Sequence, residues 1–386
     1  MFVSHSIAVE ELTLFVATTI AAEPDNEGFS PLFNGKDLTG WVLTNTPPQT
    51  WTFQDGMLIC SGKPIGEIRT ERMYQNFVME LEWRHMVPRG NAGVFIWADD
   101  ITARGVPFHR GIEVQVLENA YGNSQSHTTH GDIFPIHGAT MTPVNGRGGS
   151  RAFPTEERSK PSPEWNHYRI TCQDGEISLA VNGKVVTQGK DCSPRKGYIC
   201  LESEGGIVHY RNVRIKELPE TPVDAVHVAI ANRGYRSIYT GLDLTGWTGE
   251  EEAVNLWHAN DWVLSCDGPK ASGDATLSTS EQFSEVGFVF DARIKEAGKP
   301  LQVRLHNATI DTNDPAIAKH LEKTGSWNRF EGTRSGNTFT LTVNGHEVYK
   351  DRVVEKLAGR GPISISPAGP IELANIYLRE LPVANK

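Results

Sequence analysis

Four histidines, His109, His127, His130 and His137, fall between positions 109 and 137, and Glu113, Gln115, Glu118 and Asp132 share that window. Imidazoles and carboxylates brought together can move protons or hold a divalent ion. His127 and His130 are three positions apart, with Asp132 close behind. That spacing suits a zinc- or manganese-type ion; the competing reading is that these side chains only brace a loop. Alternation sharpens the remaining candidates. In GIEVQVL (111–117) Glu113 and Gln115 point one way and Val114 and Val116 the other, because residues i and i+2 of a strand share a face. By the same rule Glu82 and Arg84 oppose Leu81 and Trp83, and Glu202 opposes Leu201. If these strands are neighbours, one sheet face carries Glu82, Arg84, Glu113, Gln115 and Glu202. Rimmed by Trp97 and Tyr121, that face would suit a sugar, since carboxylates and amides bond hydroxyls and aromatic rings stack on the pyranose. Taken one strand at a time, the same residues read as a solvated sheet face.

The elements that position these residues repeat within the chain. LFNGKDLTGW (32–41) returns as IYTGLDLTGW (238–247), and YRNVRIKELP (210–219) as LANIYLRELP (373–382). Trp165 and Asn182 are 17 positions apart, as are Trp327 and Asn344. The chain therefore divides into a leader (1–27), a first domain (28–219), a linker (220–233) and a second domain (234–386). Both copies read as strands. ISLAVNGKVV and LTVNGHEV alternate around Asn-Gly, the strongest short hairpin signal, because both central residues of a type I′ turn need positive φ. Short period-2 runs separated by turns predict an all-β chain of antiparallel sandwiches; PAIAKHLEK (315–323) reads as one short helix. From Trp97 to Trp165 the first copy spans 68 positions, against 21 from His306 to Trp327 in the second. The additional residues hold most of the polar cluster, and long ordered loops on a rigid scaffold are where sites usually lie.

The composition excludes several classes. Lys+Arg 37 against Asp+Glu 47 gives a formal charge of −10, with no basic cluster, which argues against nucleic acid and anionic membranes as partners. No apolar run is long enough for a transmembrane helix. LTLFVATTIAA (12–22) reads as the apolar part of an export signal, although no Lys or Arg precedes it. An exported, periplasmic or extracellular protein is the expectation. The five cysteines include no CxxC pair; in an exported chain one disulfide among Cys172, Cys192 and Cys200 competes with buried thiols. GxSxG, P-loop and dinucleotide motifs are missing, so no nucleotide or nicotinamide cofactor is expected.

LFNGKDLTGW, GNAGVFIW, IEVQVLEN, EWNHYRI, LAVNGKVV and YICLESEGG…YRNVRIKEL, in this order, resemble the 3-keto-disaccharide hydrolase family. The resemblance covers nearly all of 28–219. The second domain keeps the flanking motifs without the EVQ segment and resembles a degenerate copy, accessory or binding. The family implies a concanavalin/laminin-G-like jelly-roll sandwich, and the internal repeat makes two of them in tandem. The family also implies action on glycosides already oxidised at C3 by a separate dehydrogenase. The family's NSGIFLR pattern is here Asn91 to Trp97, with Trp97 in the place of an Arg, and an Asp common at position 118 is here Glu118. A C3 ketone acidifies the C2 proton; a base removes it, the C1 aglycone is eliminated, and water adds. Glu113, Glu202 or His137 could act as the acid and base. Arg84, a histidine or a bound divalent ion could stabilise the enolate. Gln115, Glu82, Trp97, Tyr121 and Glu118 would hold the sugar. The alternative is a non-catalytic, lectin-like carbohydrate-binding protein, since the same jelly roll serves both ends. On the enzyme reading residues 28–219 are expected to retain activity alone and 234–386 to show none, the second domain binding or packing against the first.

Overall fold

The computed structural model describes residues 27–129, 131–270, 273–355 and 359–382. The leader at 12–22 and His130 lie outside them. Alternation of apolar and polar residues makes strands throughout. In Asn166–Gln173, Tyr168, Ile170 and Cys172 are buried while His167, Arg169 and Thr171 face outward. The two Asn-Gly pairs form the expected turns, with positive φ at Asn182, Gly183, Asn344 and Gly345. The predicted short helix is a single turn, Pro315–Ala318, begun by Asp314.

The strands form four antiparallel sheets: nine- and six-stranded ones before the linker, eight- and five-stranded ones after it. Each pair encloses its own apolar core, one around Trp83, Tyr168 and Leu201 and one around Phe288, Phe290 and Leu341. The chain is thus all-β, two jelly-roll-like sandwiches in tandem. All five cysteines are buried free thiols, so the disulfide reading gives way to the alternative. Among the described residues no helix is long and apolar enough to cross a membrane.

The six-stranded sheet positions the polar cluster. Its order is Trp41–Thr44, Gly66–Thr70, Tyr198–Ser203, Asn91–Ala98, Gly111–Leu117 and Ile133–Ile136. One face packs on the core through Ile68, Ile199, Leu201, Val94, Val114 and Val116. The other face is not open to solvent as strand patterning alone would have it. Every residue of Gly66–Thr70, Tyr198–Ser203 and Gly111–Leu117 is buried. Polar side chains on that face therefore lie in a setting where each must find a partner or a proton.

Candidate active site

Strand register brings the carboxylates together. Glu202 pairs directly with Glu67, and Cys200 with Arg69 on one side and Phe95 on the other. Across the next strands Gly93 pairs with Gln115, Phe95 with Glu113, and Glu113 with Phe134. The missing side chain of Gly93 makes the room at the centre. A Cβ there would stand 3.0 Å from Glu113 Oε1 and 3.0 Å from Glu202 Oε2, so the two carboxyl groups reach the same point and lie at most 6.0 Å apart. Glu204 joins them: it accepts from Asn91 Nδ2 and is hydrogen-bonded to Glu202. Gln115 Nε2 donates to Asn91 Oδ1 at 3.0 Å.

Burial pushes the Glu113 carboxyl well above the usual range, and the charge of Glu204 adds to it while Arg151 opposes it. Glu202 is pushed up by burial, then by Glu113 and Glu204. Burial raises Glu204 as well. Like charges this close cannot all ionise; the cluster holds protons where isolated carboxylates would not. Arg151 is the neighbouring cation. Its guanidinium lies 3.4 Å from the Phe134 ring centroid and donates to Asp132 at 2.9 Å.

A second group adjoins the first. Glu67 Oε2 accepts from the His109 backbone N–H at 3.0 Å and contacts the His109 ring at Nδ1. Cys200 Sγ is 3.6 Å from Nδ1. His109 Nε2, Glu67 Oε1 and Glu202 Oε2 are buried without a hydrogen-bond partner. One donor atom from each of Glu67, His109 and Cys200 falls within 4.8 Å of the others. Burial raises Glu67, with His109 opposing, and raises the Cys200 thiol, which stays protonated. His137 ends the adjoining strand at positive φ. The surrounding protein, then nearby His109, holds its pKa below the usual imidazole range.

The structure thus groups Glu113, Gln115 and Glu202 on one face. Several other placements correct the sequence reading. Glu82 and Arg84 lie on Phe77–His85, which belongs to the nine-stranded sheet, so they share no face with Glu113. Glu82 pairs with Arg211, which holds its carboxyl below the usual range, and Arg84 stacks on Trp165. Trp97 is core: a bulge in the pairing with Tyr198–Ser203 and a φ of 56° turn it inward, where Nε1 donates to Gln75 O. Glu118 caps a 3-10 turn. Against the cost of burial, the N–H groups of Arg89, Ala120 and Ser162 hold its carboxyl below the usual range. Tyr121, in the same turn, lies under Arg89. His127 is hydrogen-bonded to Ser124, and Asp132 accepts from Thr128 and Arg151, so these donors are spent inside the loop. Glu67, Glu204 and Arg151 join the site without having been singled out for it; His109, read only as a member of the histidine cluster, joins it through Glu67. The alternation of GEIRT was the available sign for Glu67. A cavity of about 330 Å³ opens elsewhere, against Phe29, Phe33 and Tyr210, but no carboxylate or imidazole lines it.

The buried glutamate cluster thus lies on one face of a jelly-roll sheet. Residues 28–216 match the 3-keto-alpha-glucoside-1,2-lyase-like domain, so the first sandwich is a domain of the 3-keto-disaccharide hydrolase family. Two structures of a candidate glycosyl hydrolase from Parabacteroides distasonis are similar to it. One is 23% identical, covering 50% of this chain and 95% of that one at TM-score 0.39. The other is 24% identical, covering 49% and 99% at TM-score 0.37. A carbohydrate-binding module from Bacillus subtilis is 12% identical, covering 46% and 96% at TM-score 0.35. None of the curated proteins compared matches the chain.

Proposed function

We propose that the first sandwich cleaves 3-keto-glycosides by elimination and hydration. The observation that carries this reading is the meeting of Glu113 and Glu202 over Gly93, beside Arg151. Glu113, its base strength raised by burial, takes the C2 proton. The electron pair of that C–H bond forms the C2=C3 enolate, and its charge settles on the C3 oxygen, where Arg151 can stabilise it. The enolate collapses to a C1=C2 double bond, the C1–O bond breaks, and protonated Glu202 gives its proton to the leaving oxygen. Water then adds at C1 and a proton returns to C2, giving the free 3-keto sugar. The ketone comes from a separate dehydrogenase acting earlier, since nothing in these steps oxidises C3.

Incubation with 3-keto-glycosides of several aglycones in D₂O tests this. The expected result is aglycone release, none from the parent glycosides, and deuterium at C2 of the product. Release without deuterium would mean direct hydrolysis; binding without release would leave the lectin-like reading.

With Arg151 as the charge at the ketone, the mechanism routes no step through a metal. A thiol, an imidazole and a carboxylate together suit a zinc-type ion, so Glu67, His109 and Cys200 are the described residues that would hold one. Protein purified without a His-tag is expected to keep full activity after chelator dialysis. Loss of activity, with recovery on adding zinc, would move enolate stabilisation from Arg151 to an ion at that trio.

A further inference from the structure

The hairpin that carries His109 is held from outside its own sandwich. Residues 99–110 join Asn91–Ala98 to Gly111–Leu117. Arg110 closes the base on Asp99 at 2.8 Å, Thr102 bridges His109, and Ala103 N donates to Phe108 O. The tip rests on the outer face of the eight-stranded sheet of the second sandwich. There Gly105 N donates to Asp291 Oδ2 at 2.8 Å. Asn375 Nδ2 donates to Ala103 O at 3.0 Å and Val106 O at 2.9 Å. Arg329, paired with Asp291, donates to Thr102 O at 2.9 Å, and Thr102 Oγ1 lies 2.8 Å from the Tyr377 hydroxyl. Asp291 and Asn375 are fully buried.

The fit is specific at Gly105. Its φ is +74°, and a Cβ would stand 2.4 Å from Trp327 Cδ1, so a side chain is excluded by conformation and by space. The gripping pair is part of the repeat itself. Asn212 and Asn375 open the matching Asn-Val and Asn-Ile pairs of the repeat and share a φ of 51°. In the first sandwich Asn212 donates to Glu82 on a partly exposed face; in the second, Asn375 donates to Asp291 and to the hairpin. Among the described residues the second sandwich offers no equivalent of the glutamate cluster. The outward positions of its five-stranded sheet include no glutamate: they are Thr248, Ser278, Gln302, Arg304, Thr309, Ser364, Ser366 and a single carboxylate, Asp311, which accepts from Gln302.

We propose that the second sandwich is a clamp for the first: Asp291, Arg329, Asn375 and Trp327 fix the hairpin tip and so hold His109 against Glu67. They are positioning residues, and the proposal rests on the glutamate-lined face being the catalytic site. It replaces the expectation that the first domain suffices alone. A buried polar network that loses one member leaves the rest unsatisfied, so loosening the tip is felt at the far end of a short hairpin.

The test uses the full chain with Asn375→Ala and, from the other side of the contact, Gly105→Ala. Amide exchange at 102–109 is expected to quicken about tenfold or more in both. The His109 ring ¹⁵N shifts, assigned with His109→Gln, are expected to lose the signature of the Glu67 contact. On a 3-keto-glycoside, kcat is expected to fall about tenfold or more with KM within about twofold, because Glu67, once released from His109, is the direct strand partner of the acid Glu202. Unchanged exchange in both variants overturns the clamp, as does faster exchange with His109 shifts and kcat unchanged. Should Asn375→Ala fail to fold, Gly105→Ala decides. Should the unaltered protein not turn over 3-keto-glycosides, the functional reading falls, and exchange and ring shifts still decide the clamp.

Discussion

Glu113→Gln is expected to slow turnover of a 3-keto-glycoside about 10²–10⁴-fold, the usual worth of a positioned general base. Glutamine keeps the shape and removes the proton acceptor. The same change is expected to raise Tm at pH 8 and to leave it nearly unaltered at pH 4. The sign follows from linkage. Burial and the charge of Glu204 raise the Glu113 carboxyl well above its ordinary range, so the native state holds this proton more tightly than the unfolded chain. Below the ordinary carboxylate range both states are protonated and the residue costs nothing. As pH rises through the raised folded value, the native state must accept a buried charge, and that part of the stability is lost. An amide carries no such charge. Activity and stability should therefore move in opposite directions. Thermal unfolding at the two pH values, beside kcat, reads both. An unchanged rate would transfer the base role to Glu202 or a histidine; a Tm lowered at pH 8 would contradict the buried charge.

Much of this face was legible in the sequence. Period-2 alternation assigned Glu113, Gln115 and Glu202 to the side opposite the valines and leucines, and all three share one face of one sheet. Alternation states which side of a strand a residue takes, not which sheet the strand joins. Phe77–His85 has the same pattern as Gly111–Leu117, yet it pairs with Asn166–Gln173 and Val208–Glu217, and Glu82 and Arg84 went with it. Trp97 was misread because one bulge reverses every later side chain in a strand. His109 and Arg151 come from loops, whose course is set by tertiary contacts that no local period records. The hairpin of His109 is shaped by partners such as Asn375, far along the chain. The tandem repeat was plain from its motifs, but the contact between the copies uses Gly105, whose role appears only once Trp327 stands over it.

Arg151→Met is expected to lower kcat about 10²–10³-fold, the range seen when one preorganised donor to a developing oxyanion is removed. KM should rise much less, because the charge on the C3 oxygen exists only after the C2 proton has left. Methionine keeps an unbranched stem and removes the guanidinium that lies over Phe134 and donates to Asp132. Two consequences separate electrostatic stabilisation from simple loss of structure. Arg151 opposes the upward shift of Glu113, so without it the pH profile of kcat/KM should have its acidic limb displaced to higher pH. Arg151→Lys should recover part of the rate, since a point charge remains although the planar fork is lost. Arg84→Ala is the matched control. Arg84 stacks on Trp165 on the other sheet, away from the glutamates, and its loss should leave kcat within about twofold, as surface changes away from a site usually do. A large loss in Arg84→Ala with none in Arg151→Met would return the enolate charge to the nine-stranded sheet and undo the site built over Gly93. The acidic limb is the more discriminating measurement. Misfolding lowers rates at every pH, whereas removing a cation beside a buried carboxyl group must move the pH at which that carboxyl group becomes a base.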